Sequence, residues 1–243
     1  MFQESLFPVD IIREEDFTGE TAHLKKMGVT RNGERYALKT LDDHPLLPLT
    51  EWFCYRLCQD IGIPTPGFAV VKRPDGSYAL GSRIDADTVL LGKITINPMG
   101  VWSWVAIVAA PLSGMLGIDY FLPNPDRHLN NVLCRPGPAN TLIALAFDWS
   151  LVPAIMSAPV FSMWPWSSGC NSDMVVTRMK GSGSWNQSAA EEVVRKVGAV
   201  SPSRVREYLE AAPEPWRIQP AIVDDIVNWW TDHAPTRAQG IFP

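Results

Sequence analysis

Asn124-Pro125-Asp126-Arg127-His128-Leu129-Asn130-Asn131 is the stretch on which the reading of this chain turns. Asp126 and Asn131 stand five positions apart in a polar run that directly follows an apolar segment. A carboxylate can orient a hydroxyl and accept its proton, and a side-chain amide oxygen is a hard ligand for a hard divalent cation. Taken alone, a run of Asn, Asp and Pro also reads as a plain turn. An Asp-Arg-His sequence ending in two asparagines just past an apolar helix is a much rarer pattern.

Working outward, Leu142 to Phe147 is a continuous apolar run that predicts a short buried strand, and it closes on Asp148. Toward the amino terminus, Tyr36-Ala37-Leu38-Lys39 ends a strand in a lysine, and Glu51 lies at the start of the next helix. By itself Lys39 also reads as a solvated strand end, and Asp148 as a strand-end cap. Taken in order, Lys39, Glu51, Asp126, Asn131 and Asp148 form the series of a kinase site. There a strand lysine, held by a helix glutamate, aims its ammonium at the phosphates of ATP, and an Asp contacts the attacking hydroxyl. An Asn five residues on and a second Asp hold Mg²⁺. Thr18-Gly19-Glu20-Thr21 precedes the first hairpin and reads as a loop over phosphates, with Gly19 its one glycine.

The remaining patterns predict an α+β chain. Ile11-Ile12-Arg13 reads as a short strand, and strands over Leu24–Val29 and Tyr36–Thr40 flank the hairpin turn Arg31-Asn32-Gly33-Glu34. A second hairpin joins Phe68–Val71 to Tyr78–Leu80 around Pro74-Asp75-Gly76. Between the hairpins, Thr50 is the expected cap of a helix running to Asp60, stopped by Gly62 and Pro64. Beyond Asp85 the texture is helical: Trp102–Ile118 with a kink or break at Pro111, then Ala189–Lys196, Ser201–Ala211 and Pro220–Asp232. Ser157–Gln187, rich in Ser, Trp, Gly and Met, reads as a long loop. The predicted division is a strand-rich unit over 1–85 and a mainly helical unit over 86–243.

With 243 residues, 46% hydrophobic and 19% charged, the chain is long and apolar enough for a real core. Its 21 Lys and Arg against 26 Asp and Glu give net −5, a poor balance for non-specific nucleic-acid or anionic-membrane binding. The four cysteines, Cys54, Cys58, Cys134 and Cys170, form no metal-ligand spacing, and Cys54 and Cys58 share one helical face. Nothing in them asks for an oxidising compartment, so the expected location is the cytoplasm. Met1 to Asp10 lacks a basic start and a long apolar run, so no signal peptide is expected. Ile94 to Ile118 carries no charge and has the length of a membrane span, but Asn97, Pro98 and Gly100 dilute it and Asp119 follows at once. We read it as a buried core helix. His23, His44 and His233 have no ligand-spaced partners. Trp164, Trp166 and Trp185 read as packing or groove-lining residues, and Ser157, Ser162, Ser167 and Ser168 as candidate phosphorylation sites.

The run Asp119 to Leu133, followed by Ala146-Phe147-Asp148, resembles the HipA-like kinases, which share an Asp-Arg-His-x-x-Asn loop with the phosphatidylinositol 3/4-kinases. Tyr36 to Lys39, Glu51 and Ile61-Gly62-Ile63-Pro64 are similar to that family's amino-terminal part. The resemblance spans roughly residues 15 to 235. It implies a two-lobed kinase-like fold, with a small antiparallel sheet and one helix preceding a larger helical lobe, and binding of ATP and Mg²⁺ between them. It implies Asp126 as catalytic base, with Arg127 and His128 buttressing it, Asn131 and Asp148 as metal ligands, and Lys39 on the phosphates. Gly81-Ser82-Arg83 would follow the second hairpin as a hinge against adenine. The implied substrate is a Ser/Thr hydroxyl of a protein. The runners-up are a nucleotide-binding pseudokinase acting as an interaction module, and a lipid or small-molecule kinase. A DNA-binding antitoxin partner would act in trans. Asp148 is followed here by Trp149-Ser150 rather than Phe-Gly.

Overall fold

Local turn chemistry sets the first sheet. Asn32-Gly33 joins β2 (Lys26–Thr30) to β3 (Arg35–Lys39), and Gly33 alone takes positive φ, +85°, with its N–H on Thr30 O at 3.1 Å. The turn Thr30–Gly33 is thus closed by one left-handed glycine, and Asn32 does not share its positive φ. The second hairpin, β4 (Phe68–Lys72) and β5 (Tyr78–Arg83), likewise turns on Gly76. β1 (Val9–Asp16) is longer than the predicted triplet and pairs antiparallel with β2. The computed structural model describes residues 7–17, 25–94, 100–152, 168–218 and 221–239.

The expected small antiparallel sheet is a closed barrel, in the order β1-β2-β3-β5-β4. Val9 and Asp10 of β1 pair in parallel with Val71 and Lys72 of β4, and that long-range register closes it. Ile11, Tyr36, Leu38, Val71 and Ala79 fill the interior. Since strand side chains alternate, placing Tyr36 and Leu38 inside sends Lys39 to the outer face.

Helix α1 (Leu47–Ile61) connects β3 to β4 and starts earlier than predicted. Pro48 sits in its first turn, where no helical N–H is needed. Thr50, the expected cap, is buried inside the helix and donates its hydroxyl to Leu46 O at 2.7 Å. Gly62 ends the helix in the left-handed conformation at φ +79°. Cys54 and Cys58 are buried, and burial pushes both thiols up from their ordinary range.

Beyond β5, the short β6 (Val89–Leu90), β7 (Val132–Pro136) and β8 (Leu142–Ala146) form a second, antiparallel sheet. The uncharged stretch forms α2 (Val101–Ile107) and α3 (Ala109–Phe121), bent by 87° between them. The break falls at Val108, which leaves Pro111 within the first turn of α3. Among the described residues no single helix is long and apolar enough to cross a membrane. Part of the predicted long loop is helical: α4 (Asn171–Gly181) follows Cys170. Asp173 in its first turn and Arg178 and Lys180 in its last suit the helix dipole, though its apolar stripe is narrow. The start of that predicted loop, 157–167, lies outside the described residues, with Trp164 and Trp166.

Helices α5 (Gln187–Gly198), α6 (Pro202–Glu210) and α7 (Ile222–Gln239) complete the chain. Asn186 and Ser201 cap α5 and α6 by accepting backbone N–H groups. α3 and α5 approach closely at Gly117, where a Cβ would lie 2.8 Å from Ala190 O. One hydrophobic core joins α1, the second sheet and the later helices, with Phe53, Phe121, Tyr208, Trp216 and Trp230 among its members.

Candidate functional site

The alternation of β3 delivers Lys39 toward α1, and there its ammonium meets two carboxylates. Nζ lies 3.0 Å from Asp148 Oδ1 and 3.6 Å from Glu51 Oε1. Glu51 reaches this point from the buried face of α1, and Asp148 from the residues just beyond β8. Asp148 adopts φ +61°, a left-handed backbone that aspartate tolerates better than most residues. That kink sends its side chain back to Lys39 while the next residue, Trp149, turns into the core. Trp149 N donates to Glu51 Oε1 at 3.0 Å, and its ring packs edge-on against Tyr55, one turn from Glu51.

One cation against the buried Glu51 and the half-buried Asp148 carboxylates leaves an excess negative charge, and the three groups share it unequally. Burial raises the Glu51 carboxyl to about 7, with Lys39 pulling it down and Asp148 pushing it further up. Burial also opposes ionisation of Asp148, but Lys39, Ser150 and Arg127 outweigh it and hold that carboxyl at about 2. Burial would lower the Lys39 ammonium; the attraction of Asp148 and then Glu51 overcomes it and raises its pKa. Lys39 is therefore paired chiefly with Asp148. Glu51 is the harder of the two carboxyls to ionise, because burial raises it while Lys39 and Ser150 hold Asp148 down.

The Asn124–Asn131 loop is built around Arg127, which is fully buried. Its Nε and Nη2 donate to the two oxygens of Asp119, at 2.7 and 3.0 Å, a bidentate pair reaching back to α3. Its Nη1 donates to Asn131 O at 2.6 Å and also to Phe147 O, and its guanidinium lies 5.2 Å from the Trp149 ring centroid. One side chain thus ties the loop to the residue before Asp148. The β7–β8 register agrees: Val132 pairs with Ala146, so Asn131 and Phe147 emerge at the same end of the ladder. Asn131 Nδ2 donates to Asp126 O at 3.0 Å, and Asn124 receives Asp126 N on its Oδ1. Asn124 Nδ2 donates in turn to Asp119. His128 is half-buried, and its carbonyl accepts Asn131 N at 2.8 Å.

Asp126 and Asn131 come together, as do Lys39, Glu51 and Asp148, and Arg127 links the two groups. Hard oxygen donors on Asp148 and Asn131, beside a surplus of negative charge, fit a divalent cation. Among the described residues no group of three or more His, Cys, Asp or Glu is arranged to hold a metal. Gly19 lies outside the described residues. Gly81, Ser82 and Arg83 are corrected in position: they end β5 itself, all three paired with β3, and Gly81 and Ser82 also with β4. Arg83 N is held by Gly67 O at 2.6 Å. Arg83 borders a cleft of about 510 Å³ with Glu34, Arg35, Asp85, Asp87 and Arg135.

Sequence reasoning missed four participants. Asp119 carried a signal: a carboxylate closing an uncharged run inside a helix requires a buried partner. Asn124 lay in the quoted loop without a role. Asn171 and Ser172 gave none, because their segment read as loop. Ser172 Oγ accepts Arg127 N at 2.9 Å and donates to Asn124 O at 2.6 Å, and Asn171 Nδ2 donates to Asp126 Oδ1 at 2.7 Å.

No protein-family model matches the sequence, and no curated protein matches it. Among solved structures the chain is similar to the Helicobacter pylori proinflammatory kinase CtkA, with 13% identity and a TM-score of 0.56 over 97% of this chain and 100% of that one. It is also similar to HipA of Shewanella oneidensis MR-1, solved as a toxin–antitoxin complex with HipB and operator DNA. There the identity is 11% and the TM-score 0.52, over 93% of this chain and 62% of HipA. The chain therefore has the fold of the HipA-like kinases.

Proposed function

We propose that the chain is a Mg²⁺-dependent ATP phosphotransferase of HipA-like type, acting on Ser or Thr hydroxyls of a protein. The observation that carries this reading is the meeting of Lys39, Glu51 and Asp148, drawn from a barrel strand, a helix and a strand end across 109 sequence positions. In this reading the chain divides near residue 85 into two lobes with ATP between them. Lys39, steadied by Glu51, aims its charge at the α- and β-phosphates. Asp126 orients the acceptor hydroxyl and takes its proton as the γ-phosphoryl passes from the ADP oxygen to the hydroxyl oxygen. Asn131 and Asp148 would hold Mg²⁺, which when bound neutralises charge on the phosphates. Arg127 and His128 buttress the loop. HipB in the Shewanella complex motivates an antitoxin-like partner in trans, and the cytoplasm is the proposed setting.

Titration with a fluorescent ATP analogue, with and without Mg²⁺, tests the nucleotide half of this proposal. Wild type should bind more tightly with Mg²⁺, and Asp148→Asn should lose that difference. Lys39→Ala should weaken binding about tenfold, the scale of a charge-assisted hydrogen bond. Affinity indifferent to Mg²⁺ and to Lys39→Ala would refute it.

A further inference from the structure

From the first turn of α4 we infer a positioning residue for the reaction: Asn171 aims the Asp126 carboxylate. The inference rests on the proposed role of Asp126 and adds to it. Asn171 Nδ2 donates to Asp126 Oδ1 at 2.7 Å, 45 positions along the chain. It does not act from a free-standing helix end. The next residue, Ser172, is buried, and grips the backbone on both sides of Asp126. Its hydroxyl donates to Asn124 O and accepts Arg127 N, and its own N–H donates to Pro125 O at 3.1 Å. The start of α4 and the loop are thereby one rigid unit, and Asn171 is held at a fixed offset from the carboxylate.

The chemistry of the donor suits the task. An ionised carboxylate has two oxygens, and a base needs one of them open toward the hydroxyl. The amide hydrogen bond occupies Oδ1 and fixes the rotation of the carboxylate plane, leaving Oδ2 to receive the proton. A lysine or arginine in the same place would also orient the group, but its positive charge would weaken the carboxylate as a base. A neutral amide orients it without that loss. Asp126 O accepts Asn131 Nδ2, so backbone and side chain of Asp126 are held independently.

Alanine is a good helix former, so Asn171→Ala should leave the α4 start and the thermal midpoint nearly unchanged. The test is the rate of label transfer from [γ-³²P]ATP to the chain itself at saturating Mg²⁺-ATP, with the KM for ATP measured in the same assay. Asn171→Ala should lower the maximal rate roughly 10- to 100-fold, the scale of a mis-aimed catalytic group, with KM for ATP within about twofold of wild type. Asn171→Gln keeps the amide donor on a longer stem and should recover part of that loss. Should Asn171→Ala fail to fold, the near-isosteric Asn171→Asp carries the same expectation, since it replaces the donor by a like charge. Wild-type transfer rates in the folded variant would overturn the inference, as would an effect confined to KM. Asp126→Asn run in parallel separates the two ideas. If it is inactive while the Asn171 variants are unimpaired, only the positioning role falls; if it transfers like wild type, the base assignment falls and the positioning role with it.

Discussion

Asp119 and Arg127 show how much of this site depends on one buried pair. Both side chains are withdrawn from water, so the guanidinium is tolerable only because Asp119, two carbonyls and the Trp149 face surround it. Asp119→Ala should cost about 3–5 kcal/mol of stability by urea unfolding, because it strands a charge in the core. A loss below about 1 kcal/mol would contradict the pairing, being the scale of an exposed ion pair. Glu51 supplies a pH signature. With its carboxyl raised from 4.5 to about 7, the native state binds more protons than the unfolded chain across that interval. Its contribution is therefore full below pH 4.5 and fades as pH rises through 7. Asp148 has the opposite sign: lowered from 3.8 to about 2, its contribution is present above 3.8 and fades on acidification. Without nucleotide, the urea midpoint of wild type should fall between pH 5 and 7.5 relative to that of Glu51→Gln; parallel pH profiles would contradict this. The ordered series of polar residues was legible in the sequence. Trp149 as the residue that donates to Glu51 and faces Arg127 was not, because its role depends on the kink at Asp148.

At the scale of elements, legibility followed the range of the causing interaction. Gly33, Gly62 and Gly76 mark turns and a helix end through their own backbone freedom, and each was read where it falls. Ser201-Pro202 likewise marked the start of α6. The start of α1 was misplaced because Leu46 caps it without a side-chain bond, whereas Thr50 is buried by contacts no local pattern records. α4 escaped notice because Ser, Gly and Thr around a narrow apolar stripe resemble a loop, while its start is fixed by the distant Asn124–Arg127 backbone. The closeness of α3 and α5 gives this scale its prediction. Gly117→Val should press a branched side chain onto Ala190 and cost about 1–3 kcal/mol, the range of overpacking in a close-packed interior. An unchanged thermal midpoint would contradict that contact.

For the whole molecule, the barrel and the helical remainder do different work. The barrel interior is small and takes Tyr36 and Leu38 of β3, which places Lys39 on the outer face. α1 belongs instead to the large core shared with the later helices: Trp52 Nε1 donates to Tyr208 O at 2.7 Å, and Asp60 takes a bidentate pair from Arg204. Glu51 thus rides on the helical core while Lys39 rides on the barrel, and Asp148 arrives from the second sheet. The parallel closure of β1 on β4 was beyond sequence reading, since it joins segments some sixty residues apart. The central claim is that these parts form one phosphoryl-transfer centre. Transfer of ³²P from [γ-³²P]ATP to the chain and to casein, followed by phosphoamino-acid analysis, tests it most directly. The account predicts Mg²⁺-dependent label on Ser or Thr that EDTA abolishes and that Asp126→Asn reduces by about 100-fold or more, the scale of a lost general base. Nucleotide binding without any such transfer, or equal transfer by Asp126→Asn, would contradict it.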